Sequence, residues 1–170
     1  MLWRDQRGYF LETYNHAISD YLQISFVQEN ESRSSYGTLR GLHFQKDPWA
    51  QAKLVRVLRG RVRDVIVDMR QDSATYGQHL FVDLCEDKQE QLFVPPGCAH
   101  GFSVLGEEAL FAYKCSKPYF PDHDGGILYC DPELGIPWGL EEKDILVSEK
   151  DRKHPSLREY HQEENQEELR

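Results

Sequence analysis

The sequence predicts an all-β protein, an antiparallel jelly-roll barrel with a few short helices. Apolar residues recur at period two and not at 3.6, as strands with a buried face require. Leu80, Val82 and Leu84 alternate with other side chains, and residues 109–115 (ALFAYKC) present alternate residues to two faces. Gly and Pro turn signals such as residues 95–97 (PPG) separate these runs at short intervals, which is typical of antiparallel sandwiches and barrels.

Helix is predicted in short pieces only. Residues 16–24 (HAISDYLQI) predict a helix of about two turns, and residues 141–151 (EEKDILVSEKD) predict about one or two turns. We expect a single domain over residues 1–160, because a chain of 170 residues suits one core. Residues 161–170 are polar and acidic, so the sequence predicts a disordered C-terminal tail there.

Composition and charge exclude several classes of partner. The net charge is −9 and the sequence has no sustained basic stripe, so we expect no nucleic-acid partner. No apolar run approaches the ~18 residues that a membrane span needs. The first residues contain no apolar core of a signal peptide, which favours a cytoplasmic protein. The four cysteines include no Cys-x-x-Cys pair, so reduced thiols are expected in place of a zinc site.

Two motifs have the spacing of a cupin metal site, but most of the ligands are missing. The Pro-x-Gly-x-x-His motif is complete and ends at His100. In the companion Gly-x5-His-x-His motif, His43 is present, but Gln45 replaces the second histidine, and the glutamate position holds Trp49 or Ala50. A catalytic metal takes at least three strong ligands. The motifs therefore predict a cupin-type barrel without a bound metal, in which the two histidines are free for proton transfer.

The segments around these histidines form an ordered set that extends well beyond the motifs. They include FVQENESRSSYGTLRGLHFQ, AQAKLVRVLRGRVRDVIVDMR, VPPGCAHGFSVL and GGILYCDPELGIPW, within about residues 5–151. In these segments the chain resembles the dTDP-4-dehydrorhamnose 3,5-epimerase family. The resemblance implies a homodimeric isomerase without a cofactor. Its substrate would be dTDP-4-dehydro-6-deoxy-D-glucose, inverted at C3 and C5 through an enolate in dTDP-rhamnose biosynthesis.

The resemblance also implies roles for four residues. His43 would be the base, and Tyr113 would be the acid that reprotonates from the opposite face of the sugar. Asp151 would orient His43 by a hydrogen bond, and Lys53 would stabilise the enolate oxygen. His100 would line the same pocket as a hydrogen-bond donor beside the base.

The family pattern implies a larger set of substrate contacts, in which arginine forks suit a diphosphate. This substrate-binding set comprises Arg7, Glu12, Gln28, Asn30, Arg40, Lys53, His100, Tyr119, Asp124 and Lys150. Two positions depart from the pattern, since Pro118-Tyr119 replaces two adjacent tyrosines and Asp124 replaces glutamate. The family's first strand is also missing, and we expect its absence to expose a sheet edge or weaken the dimer.

Arg40 and His43 raise a geometric question because they are three residues apart in a predicted strand. In a regular strand their side chains would face opposite sides of the sheet. Either the chain bulges at Gly41, or Arg40 serves the pocket of a neighbouring subunit. The sequence alone also offers Asp64 and Asp68 as carboxylate partners for His43.

Three other functions remain open at this point. A mono-epimerase acting at C3 or C5 of another dTDP-ketosugar would carry nearly the same residues. A metal-dependent cupin is disfavoured by Gln45. A non-catalytic sugar-nucleotide-binding cupin would have no need for His43, Tyr113, Lys53 and Asp151 together.

Overall fold

The computed structural model describes residues 2–168, without the side chains of residues 165, 167 and 168, and it confirms the all-β class. Its strands are β1 Leu2–Asp5, β2 Gly8–Leu11, β3 Gln28–Ser35, β4 Leu39–Gln45, β5 Lys53–Asp68, β6 His79–Cys85, β7 Gln91–Val94, β8 Cys98–Cys115 and β9 Asp124–Gly126. β1 and β2 form a separate hairpin, and the other strands form one antiparallel sheet.

The two long strands β5 and β8 organise this sheet. They pair with each other along most of their length, in the strand order β6-β5-β8-β4-β9, while β3 also pairs with β8 and β7 with β5. Their register shifts between Val57 and Arg59 and again between Gly60 and Val62. Such bulges bend a strand and increase its twist. Each long strand therefore contributes to both halves of the jelly roll.

Two apolar cores lie on opposite faces of the sheet. Ile66 belongs to a cluster with Phe102 and Phe111, whereas Val65 and Val67 belong to a second cluster. Strand β5 is buried on both faces at this point, which explains its unbroken apolar run. The second cluster is closed by side chains from the segment after β9, including Ile127, Leu134, Trp138 and Tyr160.

The first predicted helix is present, and the second is confirmed only as short 3-10 turns. Helix α1 spans His16–Leu22, and the Asn15 side chain caps it by accepting the N–H of Ile18 at 3.2 Å. Residues 141–151 form no α-helix, only the single 3-10 turns Glu142–Asp144 and Asp151–Lys153. Between these turns, Leu146 bridges to Thr38 in parallel, and this backbone pairing competes with a helix.

A C-terminal helix replaces most of the predicted disordered tail. Helix α2 spans Leu157–Glu168, and residues 169–170 lie outside the described residues. Ser156 and Glu159 form a capping box, since the Glu159 carboxylate accepts the Ser156 N–H at 2.8 Å, and Ser156 Oγ accepts the Glu159 N–H at 3.3 Å. Tyr160 packs into the second core, and Lys46 pairs with Glu164 at 2.8 Å. Within residues 2–168, no helix has the length and apolar character to cross a membrane.

Candidate active site

The C-terminal segment meets the sheet around a cavity of about 560 Å³. Strands β3, β4, β5 and β8 supply one side of its lining, and residues 146–152 supply the other. A second cavity of about 390 Å³ adjoins it, and both are lined by His43, Lys53, Tyr113 and Lys150. Asp151 also lines the larger cavity. The structure therefore brings the expected catalytic residues together in one cavity, namely His43, Lys53, Tyr113 and Asp151.

His43 and Asp151 form a hydrogen-bonded pair with 2.8 Å between Nε2 and Oδ1. The other carboxylate oxygen of Asp151 accepts the Gly41 N–H at 3.2 Å, and the Asp151 backbone N–H donates to Ser148 Oγ at 3.1 Å. Burial raises the pKa of Asp151, but the hydrogen bonds and charge of its partners outweigh this and lower it to about 2. Asp151 is thus ionised at neutral pH and fixed in orientation.

A bulge at Gly41 places Arg40 and His43 on the same cavity. The pairing of β4 with β8 shifts register between these two residues, and both side chains line the larger cavity. Gly41 has φ +131°, and a Cβ there would lie 2.5 Å from the Cα of Gly101. Of the two alternatives left open by the sequence, the structure shows the bulge, and Arg40 reaches this cavity from its own subunit, held by a 3.0 Å hydrogen bond to Ser34 Oγ.

Lys53 and Tyr113 are neighbours in the wall of the cavity. Lys53 Nζ lies 6.0 Å from the centroid of the Tyr113 ring and donates to the His43 carbonyl oxygen at 3.4 Å. Burial lowers the pKa of Lys53, and nearby acidic groups including Asp64 act against this. Burial, with a smaller contribution from Cys115, raises the pKa of Tyr113. The Tyr113 hydroxyl is therefore protonated at neutral pH and has a proton to donate.

His100 lies directly across the β4–β8 ladder from His43 but has a different carboxylate partner. Its Nε2 is 2.9 Å from Asp64 Oδ2, and the side chains of His100 and Asp64 are 7% and 0% exposed. Asp64 is thus a partner for a histidine, but for His100 and not for His43. Asp68 accepts hydrogen bonds from the side chains of Arg70, Ser73 and Thr75. Among the described residues, it forms no hydrogen bond or ion pair with His43 or His100.

The smaller cavity gathers the polar rim of the expected binding set. It is lined by Gln28, Asn30, Tyr119, Asp124 and Lys150. The Tyr119 hydroxyl donates to Asp124 Oδ2 at 3.1 Å, and Lys150 forms an ion pair with the same carboxylate. The Tyr119 backbone N–H donates to Gln28 at 3.1 Å. The shorter Asp124 side chain therefore still ties this rim together.

Arg7 and Glu12 are the two members of the binding set that the structure places elsewhere. Arg7 lies in the turn of the β1–β2 hairpin and pairs with Asp5, with 3.1 Å between Nε and Oδ2. Glu12 follows β2 and is exposed. Neither residue lines the two cavities described above.

Gln45 replaces the second histidine ligand of a cupin metal site, and its side-chain amide makes hydrogen bonds within the chain. Its amide donates to the Trp49 carbonyl at 2.8 Å and accepts the Phe120 N–H at 2.6 Å. Among the described residues, the group with metal-ligating potential is a different one, His43 with Asp151 and His154. Sequence reasoning did not single out His154, which follows Asp151 by three residues and so lies on the same turn.

The sequence carries a signal that Asp64 has a buried partner, and the strand register then shows which residue that partner is. Asp64 is an acidic residue within the apolar run of β5, and Ile66 two residues later pairs with His100. Residues two apart in a strand share a face, so Asp64 is diagonal to His100 on one side of the sheet. A buried carboxylate in such a strand indicates a cationic or hydrogen-bonding partner nearby.

Comparison with known proteins gives a consistent result. The sequence model of the family described as dTDP-4-dehydrorhamnose 3,5-epimerase matches residues 1–159. A relative of that name from Methanothermobacter thermautotrophicus is 48% identical over 161 residues, which are 93% of this chain and 86% of the relative.

Solved structures agree with this assignment. The crystal structure of dTDP-6-deoxy-D-glucose-3,5-epimerase from Legionella pneumophila in complex with dTDP-4-keto-L-rhamnose superposes with a TM-score of 0.88 at 43% identity. The match covers 93% of this chain and 85% of that one. A less similar structure, the 3'-monoepimerase ChmJ from Streptomyces bikiniensis in complex with dTDP-quinovose, gives a TM-score of 0.85 at 30% identity over 93% and 81% of the two chains. The strands, the site and these matches together show that the chain belongs to the dTDP-4-dehydrorhamnose 3,5-epimerase family, with its cupin-type jelly-roll fold.

Proposed function

We propose that the protein is an isomerase that inverts C3 and C5 of dTDP-4-dehydro-6-deoxy-D-glucose, which yields dTDP-4-dehydro-L-rhamnose for dTDP-rhamnose biosynthesis. The observation that carries this proposal is the His43–Asp151 pair, which lines the same cavity as Tyr113 and Lys53. The names of the relatives and the sugar nucleotide bound to the Legionella enzyme support the choice of substrate.

His43 acts as the base in this proposal. The C4 ketone of the substrate acidifies the protons on C3 and C5, so a well-placed imidazole can remove them. Ionised Asp151 holds the tautomer with the proton on Nε2, which leaves Nδ1 free to take the substrate proton. As His43 becomes positive, the Asp151 carboxylate stabilises the imidazolium.

Tyr113 and Lys53 complete the reaction. Removal of a proton leaves negative charge on the C4 oxygen, and the buried Lys53 side chain is placed to stabilise it. Tyr113 returns a proton to the opposite face of the enolate, and this change of face inverts the centre. Each step moves a proton and leaves the oxidation state unchanged, so the chemistry requires no redox cofactor. We also propose that no catalytic metal takes part, because Lys53 supplies the charge that a metal would supply.

Solvent exchange tests the proposal. In D₂O with dTDP-4-dehydro-6-deoxy-D-glucose, NMR is expected to show deuterium entering at both C3 and C5. The His43→Asn variant is expected to lose exchange at both carbons, whereas His79→Asn, outside both cavities, serves as the matched control and keeps it. Exchange at His43→Asn equal to that of the wild type would contradict the assigned base.

A mono-epimerase is the second candidate, favoured by the similarity to ChmJ. Exchange at C3 alone or C5 alone would support it and would overturn the double epimerisation. A non-catalytic binding protein predicts tight dTDP-sugar binding without exchange at either carbon. The combination of His43, Asp151 and Tyr113 at one cavity disfavours this last function.

We further propose a homodimer in which the β1–β2 hairpin of one protomer delivers Arg7 and Glu12 to the cavity of its partner. The hairpin makes no strand pairing with the main sheet, and its Trp3, Tyr9 and Phe10 are 46%, 53% and 67% exposed. Sedimentation equilibrium is expected to give twice the chain mass. Arg7→Ala is expected to raise KM for the nucleotide sugar with little change in the unfolding temperature, and an unchanged KM would refute the delivery.

The remaining expectations concern location and partners. A substrate that is a dTDP-sugar explains why the chain carries a local group of cationic side chains, Arg40, Lys53 and Lys150, within a net charge of −9. Such a local group suits a diphosphate but is too small for a nucleic acid. The cytoplasmic location stays a prediction from composition.

A further inference from the structure

A second histidine lies behind the proposed base and has no role in the reaction described above. His154 Nε2 is 3.8 Å from Asp151 Oδ1, on the same carboxylate oxygen that His43 contacts. The two imidazole rings are 5.7 Å apart at an angle of 73°. His154 is absent from the linings of both cavities, so it faces the dyad and not the substrate space.

His154 is mostly but not fully buried, and one of its ring nitrogens is unused. Its side chain is 11% exposed, and its Nε2 has no hydrogen-bond partner among the described residues. A polar atom left in this state costs free energy unless it has a ligand. The ring also packs closely on the chain, because a Cβ at Gly126 would lie 2.4 Å from His154 Nε2. His154 is therefore held in place by packing and not by a hydrogen bond of this nitrogen.

We propose that His43, Asp151 and His154 form an inhibitory site for a divalent transition-metal ion of the Zn²⁺ type. One nitrogen of each histidine and one Asp151 oxygen lie within 4.8 Å of one another. Two imidazoles and a carboxylate are a ligand set that Zn²⁺ prefers, with bonds of about 2.0–2.2 Å and an open fourth position. Such bonds place ligand atoms roughly 3.4 Å apart in a tetrahedron. The distances from Asp151 Oδ1 to the two histidine nitrogens, 2.8 and 3.8 Å, bracket that value, and the third separation is within 4.8 Å.

Metal binding would stop the proposed reaction. A metal on Nε2 of His43 replaces the hydrogen bond to Asp151 and forces the remaining ring proton onto Nδ1, which is the atom that must accept the substrate proton. The site also differs from the metal position of a cupin, because His100 is held by Asp64 and Gln45 by Trp49. The inhibition rests on the proposed function, whereas the binding of the metal does not.

Metal titration of the full-length protein tests the site without reference to activity. The chelator-treated protein is titrated with Zn²⁺ by calorimetry and with Co²⁺ by visible absorption, which reports tetrahedral coordination. The wild type is expected to bind a single ion per chain at this site. His154→Gln and His154→Leu are expected to bind at least about tenfold more weakly, the scale seen when a metal site loses a supporting group. Cys130→Ser removes an exposed thiol and serves as the matched control that leaves binding unchanged.

Activity then separates the two proposals. Added Zn²⁺ is expected to inhibit deuterium exchange by the wild type, and a chelator is expected to reverse this inhibition. Inhibition of the His154 variants is expected to require at least about tenfold more metal. Equal Zn²⁺ affinity or equal inhibition in wild type and His154 variants would overturn the metal site, as would a wild type that binds no ion. His154-dependent binding in a protein without exchange activity would support the metal site and overturn the proposed function.

Discussion

Asp151→Asn tests how much the carboxylate contributes to the proposed base. The substitution keeps the size of the side chain but removes the negative charge that faces His43 at 2.8 Å. The surroundings lower the pKa of Asp151 from 3.8 to about 2, even though burial opposes the change. A difference of this size corresponds to about 2 kcal/mol in favour of the charged carboxylate. A hydrogen bond to a charged group contributes about 2 kcal/mol, and His43 loses such a bond to the carboxylate as it takes up the substrate proton. We therefore expect kcat to fall on the order of 30-fold.

The kcat values of Asp151→Asn and the wild type are compared from initial rates of deuterium exchange at C3 and C5, measured at neutral pH with saturating substrate. Asp131→Asn is the matched control, because Asp131 is also a buried carboxylate that accepts backbone N–H groups but lies outside both cavities. Its kcat is expected to stay close to that of the wild type even if its unfolding temperature falls. A kcat for Asp151→Asn within about threefold of the wild type would refute the role of the carboxylate in supporting His43.

The other predictions concern the acid, the bulge and the pH dependence of stability. Tyr113→Phe is expected to reduce product formation by roughly 10²–10⁴-fold while some exchange persists, and NMR of substrate and product measures both; full product formation would rule out Tyr113 as the acid. Gly41→Ala is expected to lower the free energy of unfolding by about 1–3 kcal/mol because of its φ of +131°. Gly106→Ala, where a Cβ would meet only ordinary contacts at 3.7 Å, is expected to change it little in the same urea titration. The hydrogen bond from Arg70 holds the pKa of Asp68 well below 3.8, so its stabilisation is present above about pH 4 and lost as the pH falls further. Asp68→Asn is therefore expected to lose stability at neutral pH and to approach the wild type in acid, and parallel curves would contradict this.

The fold class was predictable because its signals are local. Period-two alternation in β8 and the turn residues between strands identify antiparallel strands without knowledge of their partners. The bulge at Gly41 was also predictable, since Arg40 and His43 could share a cavity within one chain only if the register shifted. Helix α2 was predictable in principle from its Ser156–Glu159 capping box, but acidic composition was given more weight than the cap.

The pairing of His43 with Asp151 was harder to predict from the sequence. Asp151 lies 108 positions after His43, and no periodicity in the chain connects residues so far apart. Asp64, Asp68 and Asp151 were equal candidates as partners of His43 from their chemistry alone, and only tertiary structure distinguishes them. The resemblance to a family, not spacing, gave the correct choice. His154 escaped notice because a histidine in a polar C-terminal segment has no local pattern that sets it apart.

The late position of Asp151 has a consequence for biosynthesis of the protein. The β4 segment with His43 leaves the ribosome more than a hundred residues before its partner. The jelly-roll sheet ends at β9, so the barrel strands are all synthesised before the turn that carries Asp151. In the folded chain, that turn is flanked by the parallel bridge from Leu146 to Thr38 and by the hydrogen bond from the Leu128 N–H to the Pro155 carbonyl oxygen. A chain with a complete barrel but without the turn that carries Asp151 therefore still holds an unsupported imidazole at His43.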